Sequence, residues 1–425
     1  MTGKEYGFHT KCTHAGYEAD ATHSVQAPLH MTTAYTFDST EDARAVFALE
    51  KPANIYSRLG SPTCDILEKR IAALDGGVAA LCASSGHAAM LMTFMCLCAS
   101  GDEIVSASRI YGGAVNMMSK TLRQMGITVR FADIDRPESF AEATNGRTRA
   151  WFAETLGNPA SDVPDLRALA DAAHSFGLPL IADNTVATPY LLRPAEHGAD
   201  ITVYSASKYL CAHGTVIAGL VADSGLFCFK GNPRFPDFNT PDASYHGLVY
   251  ADLGPAAFVT KLRAHILRDT GMTLSPFNAW LVLLGMETLP LRMERHSASA
   301  LAVAEYLEKH PKIESVSYCG LKSSRYYPLA MRYMPKGQSS MFTFDIKGSA
   351  ESGGRFCDSL RLLKIVTNLG DSRTLVSCPA ATTHSQLSAE QLSSQGIKPG
   401  TIRISVGLED TEDIIDDIAS ALAAV

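Results

Sequence analysis

The sequence predicts an α/β protein: a large domain built on a mainly parallel sheet, then a smaller C-terminal α+β domain. Three observations predict it. Between about residues 64 and 220, short apolar runs alternate with stretches of helical periodicity: AALCAS, EIVSAS, VRFADI, AWFAETL, LPLIADN and ITVYSAS. That alternation is the pattern of βαβ units whose sheet is covered on both faces. From about residue 270 the order changes to long helices followed by the strand-like runs ESVSYC, SMFTFDIKG, LKIVTNLG, TLVSCPA and TIRISVG. The composition is globular, 46% hydrophobic and 19% charged over 425 residues, and the length implies more than one domain.

The elements follow in chain order. Residues 1–63 have little periodicity, are rich in His, Thr and Tyr, and end in YSRLGSPT. A patternless opening of this length reads as an arm, either a plain surface segment or one that reaches a neighbour. CDILEKRIAALDG places Ile66, Leu67, Ile71 and Leu74 at helical spacing, with a stop at Gly76-Gly77. The apolar run Ala88–Ala99 is shorter than the roughly 20 residues that cross a bilayer, so it reads as a buried helix. GGAVNMMSKTLRQMG and DLRALADAAHSFG are further helices. Residues 225–256 are dense in Pro, Gly, Asn and Asp, a loop insertion in a domain spanning 64–269. In the second domain, 270–425, the last segment TEDIIDDIASALAAV is an amphipathic helix with Thr411 near its N-cap and acids in its first turn.

Charge and cysteine usage narrow the function classes. The 37 Lys and Arg against 44 Asp and Glu give −7, with no general pull toward nucleic acid or anionic membrane. The first twenty residues contain no apolar h-region, so a secretory signal is not expected. The ten cysteines are scattered without a CxxC pair; reduced thiols, no metal site and a cytoplasmic location are expected. GxGxxG, Walker A, HExxH and GxSxG are all missing from the sequence.

In a sheet of this kind ligands bind beyond the C-terminal ends of the strands, so the residues closing each run are the candidates. SASK, Ser205 to Lys208, closes ITVYSAS. Ser205 and Ser207 share a face of an extended segment and could donate to a phosphate. Lys208 could be nucleophilic if partly desolvated beside cations, although from the tetrapeptide alone a solvated lysine after a strand is the plainer reading. Asp183 closes LPLIADN and, if buried, needs a cation or strong donor; capping the next turn is the plainer reading. SSGHAA opens the apolar helix, where free N–H groups of Gly86 and His87 would make an anion site, or simply an ordinary helix start. Tyr111, in IYGG, sits at a predicted strand end as a stacking face or a core tyrosine. Arg403, inside IRISVG, calls for a bound carboxylate or a structural acid partner. Together these are a phosphate cradle, an acid for a ring nitrogen, an amine, a stacking aromatic and a carboxylate clamp, the parts needed by pyridoxal phosphate acting on an amino acid.

The motifs YSRLGSPT, SSGHAA, IYGG, ETLGNP, IADNTVATPYLLRP, GADITVYSASKYL, NLGDSRTLVSCPAATTHSQLS and IRISVGLED lie in order along nearly the whole chain. In these the chain resembles the Cys/Met-metabolism enzymes that use pyridoxal 5'-phosphate, with the aspartate-aminotransferase (type I) fold. The resemblance implies Lys208 as the Schiff-base lysine and proton shuttle, and Asp183 as partner of the pyridine nitrogen. It implies Tyr111 as the ring-stacking tyrosine, which also assists proton transfer, and Asn158 as donor to the ring 3-oxygen. Gly86, His87, Ser205 and Ser207 would cradle the phosphate. Tyr56 and Arg58 would reach the phosphate of a neighbouring subunit. Arg403, with Ser377 through its backbone, would hold the substrate carboxylate. Within the family the chain is most similar to the O-acetylhomoserine sulfhydrylase branch, in its length, its insertion at 225–256 and the run WLVLLGMETLPLRMERH. That branch implies γ-replacement on O-acetyl-L-homoserine by sulfide or a small thiol, in methionine biosynthesis. It further implies a homotetramer with active sites at dimer interfaces, and a sulfur-carrier protein among the candidate sulfur donors. The same residues would serve a methionine or cystathionine γ-lyase or a cystathionine γ-synthase; a non-catalytic binding protein is the remote alternative.

Overall fold

The computed structural model describes residues 5–348, 350–382, 392 and 396–425. The tail of one family motif, residues 383–388, lies outside them.

Seven strands form the large sheet: β1 (Ala79–Ala83), β2 (Glu103–Ala107), β3 (Thr128–Ala132), β4 (Thr148–Glu154), β5 (Leu180–Asp183), β6 (Ile201–Ser205) and β7 (Gly219–Asp223). Their order is β1-β7-β6-β5-β4-β2-β3, and only β7 runs antiparallel to its neighbours. The sequence did not mark β7, because Gly219 breaks its apolar run. That glycine is required: a Cβ there would lie 2.0 Å from the carbonyl oxygen of Ser85. The central strands β4 and β6 are buried along almost their whole length, so helices cover both faces and their C-terminal ends are where polar side chains emerge.

Local signals set the flanking helices. Ser61 Oγ accepts the Cys64 N–H at 3.2 Å, Pro62 fills the first helical position, and Gly76 at φ +80° ends helix Pro62–Asp75. Helix Gly86–Leu97 begins on Ser85, whose Oγ accepts from the Ala88 N–H at 3.0 Å. It packs on β6 and β7, with Phe94 edge-on to Phe152 at 5.7 Å. Burying one such ring is worth about 1.5–3 kcal/mol.

Five strands form the second sheet: β8 (Ile313–Ser317), β9 (Met341–Ile346), β10 (Lys364–Ile365), β11 (Leu375–Ser377) and β12 (Thr401–Ser405), in the order β10-β11-β12-β9-β8. The strand-like runs of the sequence account for all five. Helix Leu289–Lys309 serves both cores: Leu289 and Met293 pack in the first, and Ala300, Val303, Ala304 and Leu307 in the second. Helix Pro276–Glu287 packs wholly against the first core. On packing, we propose that the boundary between the two units lies inside helix Leu289–Lys309 and not near residue 270.

Two expectations change. The opening segment is not patternless throughout: helix Phe8–His14 sets Phe8 and Cys12, one turn apart, into the first core, with Phe8 5.3 Å from Tyr190. The insertion at 225–256 is a run of short helical turns around its own aromatic cluster, in which Phe229 stacks on Phe238 at 4.0 Å. Among the described residues no helix is long and apolar enough to cross a membrane.

Candidate active site

A cavity of about 210 Å³ opens at the C-terminal ends of β4, β5 and β6. Nine of the twelve predicted site residues line it: Gly86, His87, Tyr111, Asn158, Asp183, Ser205, Ser207, Lys208 and Arg403. Larger open hollows of about 850 and 900 Å³ border the N-terminal segment and contain none of these nine.

One wall is an anion site. Ser85 uses its hydroxyl on the Ala88 N–H, which leaves the first N–H groups of the helix, those of Gly86 and His87, aimed outward. A Cβ on Gly86 would fall 2.6 Å from the Ser205 Cβ, so only glycine lets the helix start meet the end of β6. Thr185 Oγ1 accepts the Ser205 N–H at 2.8 Å and fixes that strand end. The Ser207 hydroxyl departs from expectation: it accepts from the Ala218 N–H at 2.9 Å and donates to the Ala218 carbonyl at 3.2 Å. Its first role is to tie the lysine turn to the residue before β7.

Lys208 follows directly. Its ammonium donates to Asn368 Oδ1. Burial, then the Arg403 charge, pull its pKa down to about 8. At pH 7 that leaves roughly one amine in ten neutral, about 300-fold more than an ordinary lysine. Asp183 ends β5 half-buried, and its Oδ1 accepts the Thr185 N–H at 3.0 Å. Burial raises its pKa, against the Thr185 bonds and the His87 side chain. A cationic ring nitrogen is the partner such a carboxylate lacks.

Tyr111 lies beyond the strand, not at its end. β2 stops at Ala107, and Tyr111 is the residue before helix Gly112–Asn116. Its ring meets His87 edge-on at 5.7 Å. Arg403, on β12, is 2% exposed. Nη1 donates to Asn158 Oδ1 at 3.2 Å and Nη2 to the Asn368 carbonyl at 3.0 Å. Both partners are neutral, and burial lowers its pKa to about 10. A buried guanidinium held, among the described residues, by neutral oxygens alone is set up for an incoming carboxylate.

Three predicted residues are not in the cavity. Tyr56 is exposed and borders the hollow of about 900 Å³, and Arg58 donates to the Arg268 carbonyl. Ser377 faces Arg403 across the β11–β12 ladder but does not line the cavity, and its buried hydroxyl has no partner among the described residues. The residue that contacts both Lys208 and Arg403 is Asn368, which the sequence reading passed over although NLG follows a strand-like run. Glu154 is one of the polar residues closing the predicted strand runs, and the sequence assigns it no role. It ends β4 opposite Asp183 and accepts the backbone N–H groups of Tyr111 and Asn158.

The donor set fits pyridoxal phosphate: free N–H groups for the phosphate, Asp183 for the ring nitrogen, and a half-buried amine for the aldehyde. Comparison with known proteins agrees. The family model for Cys/Met metabolism PLP-dependent enzymes matches residues 9–423. An O-acetyl-L-homoserine sulfhydrylase of Leptospira meyeri is 46% identical over 424 residues, covering 97% of this chain and 96% of its own. A homocysteine synthase of Schizosaccharomyces pombe is 44% identical, covering 98% of each. A Campylobacter jejuni structure described as an O-acetylhomoserine (thiol)-lyase superposes with a TM-score of 0.97 at 40% identity, over 98% of this chain and 100% of that one. It carries N'-pyridoxyl-lysine-5'-monophosphate.

Proposed function

The chain belongs to the Cys/Met metabolism PLP-dependent enzymes, and on that premise we propose that it converts O-acetyl-L-homoserine and sulfide, or a small thiol, to homocysteine or its thioether. Its cofactor is pyridoxal 5'-phosphate, its fold is that of the type I PLP-dependent transferases, and its substrate is a small amino acid. The bound cofactor supplies the sink for the electrons released at the substrate's α and β carbons.

The chain's own residues do the rest. Arg403 grips the substrate carboxylate and, with Asn368, fixes the α-carbon near Lys208. Lys208 would hold the cofactor aldehyde, and its amine is placed to take the proton from the substrate α-carbon and return it. Its lowered pKa, about 8, keeps it able to accept as well as donate. Asp183 holds the proton on the ring nitrogen. Tyr111 would stack on the ring and Asn158 would donate to its 3-oxygen, holding the reacting groups in place so that the reaction is effectively unimolecular. The observation carrying this reading is one cavity that holds both the amine of Lys208 and a buried Arg403 with no carboxylate partner among the described residues.

Tyr56 and Arg58 lie away from their own chain's cavity, and Val25 and Met31 are 96% and 68% exposed. Both facts support an assembly in which this segment completes a neighbouring subunit's site. We propose a homotetramer with sites at dimer interfaces, in the cytoplasm. All ten cysteines being free thiols supports that compartment. The sulfur is supplied as sulfide, as a small thiol or by a sulfur-carrier protein.

A product assay tests the reaction. Purified enzyme with O-acetyl-L-homoserine and sulfide is expected to form homocysteine and acetate in equal amounts, and little product when sulfide is omitted. 2-Oxobutyrate as the main product under both conditions would assign the chain to the γ-lyases instead.

A further inference from the structure

We infer that Glu154 is a positioning residue for the cofactor ring, its carboxylate setting both Tyr111 and Asn158 from a fixed point beside Asp183. The inference rests on reading the cavity as the pyridoxal phosphate site.

Glu154 is 5% exposed, lines the cavity and ends β4 in register with Asp183 at the end of β5. Each of its oxygens takes a different segment. Oε1 accepts the Tyr111 N–H at 2.7 Å, and Oε2 accepts the Asn158 N–H at 2.9 Å. Both segments lie outside the sheet. Tyr111 precedes a five-residue helix and has no side-chain cap of its own. Asn158 lies four residues beyond β4, and its Oδ1 in turn accepts from Arg403. One carboxylate therefore links the ring-stacking residue, the 3-oxygen donor and, through Asn158, the substrate clamp.

An acid in this place needs explaining. Burial and then the neighbouring Asp183 carboxylate both raise its pKa, so the position is unfavourable for a charge. A glutamine would fill the same volume. It has one acceptor oxygen, however, and its amide nitrogen is a donor facing a second donor. Only a carboxylate accepts from two N–H groups at once, which is the chemistry the geometry uses.

The test compares wild-type holoenzyme with Glu154→Gln and Glu154→Asp, with Lys208→Ala as control. Glu154→Gln is expected to keep the cofactor and its colour, to leave KM within about threefold, and to lower kcat about tenfold or more. The visible circular dichroism of the bound cofactor, which reports ring orientation, is expected to change in amplitude. Glu154→Asp, too short to reach both segments, is expected to show the same loss. Visible dichroism and kcat within twofold of wild type in both variants would overturn the inference. Hydrogen exchange on the wild-type holoenzyme gives a reading that needs no variant: the Tyr111 and Asn158 amides are expected to be protected, and free exchange at either would overturn it. A Lys208→Ala protein that keeps its colour would instead remove the cofactor-site reading itself.

Discussion

Lys208→Ala is expected to lose the visible absorption of the bound cofactor and to lower turnover by at least about 10⁴-fold. Two functions leave together: the covalent anchor for the aldehyde and the group that carries protons at the reacting carbons, the second alone worth about 10²–10⁴-fold. The cofactor-free protein should respond in the opposite sense. The folded-state pKa of Lys208, about 8, lies below the ordinary lysine value of 10.5. A depressed lysine pKa means that burying the ammonium destabilises the folded state below pH 8. That penalty is relieved as pH rises toward 10.5, because the folded form gives up its proton first. Removing the amine is therefore expected to raise the stability of the cofactor-free protein at pH 7 by about 1–3 kcal/mol. The gain should vanish near pH 10.5. Urea unfolding of both cofactor-free proteins at pH 7 and 10.5 measures this; a variant less stable at pH 7 contradicts the desolvated site.

The second large effect is on substrate capture. Arg403→Met is expected to retain the cofactor and its colour but to lower kcat/KM for the amino acid about 10²–10³-fold, mostly through KM. The guanidinium offers a carboxylate two parallel charge-assisted hydrogen bonds in a buried setting, and truncating one partner of such a pair costs about 2–5 kcal/mol. Arg403→Lys should rescue little, since a point charge cannot reproduce the fork that also reaches Asn158 and Asn368. Spectral titration of each variant with O-acetyl-L-homoserine reads the affinity directly. A threefold or smaller change would remove Arg403 from the carboxylate site.

Most of this architecture was legible because it obeys short-range rules. The strands were apolar runs, the helices were periodic, and Ser85 and Gly86 carried their own capping and close-packing logic. Lys208, Asp183 and Arg403 stood out as charges at apolar strand ends or inside a strand. What escaped depended on partners distant in sequence. Gly219 disguised β7 until Ser85 was placed against it. Asn368 opens the motif NLGDSRTLVSCPAATTHSQLS, but its role comes from lying between Lys208, 160 residues earlier, and Arg403, 35 residues later. Ser377 came from the family resemblance alone; it faces Arg403 across the β11–β12 ladder and does not line the cavity. The Ser207 hydroxyl exchanges hydrogen bonds with the Ala218 backbone, a partner eleven residues away that the tetrapeptide SASK does not mark. Tyr56 and Arg58 lie together, the Arg58 guanidinium 5.7 Å from the Tyr56 ring, and neither lines this chain's own cavity.

Borohydride reduction of the holoenzyme followed by peptide mass mapping tests the central claim most directly. Reduction should fix a pyridoxyl-phosphate group irreversibly on one peptide, the one containing Lys208. A label on another lysine, or none on a protein that is yellow and active, would contradict the account.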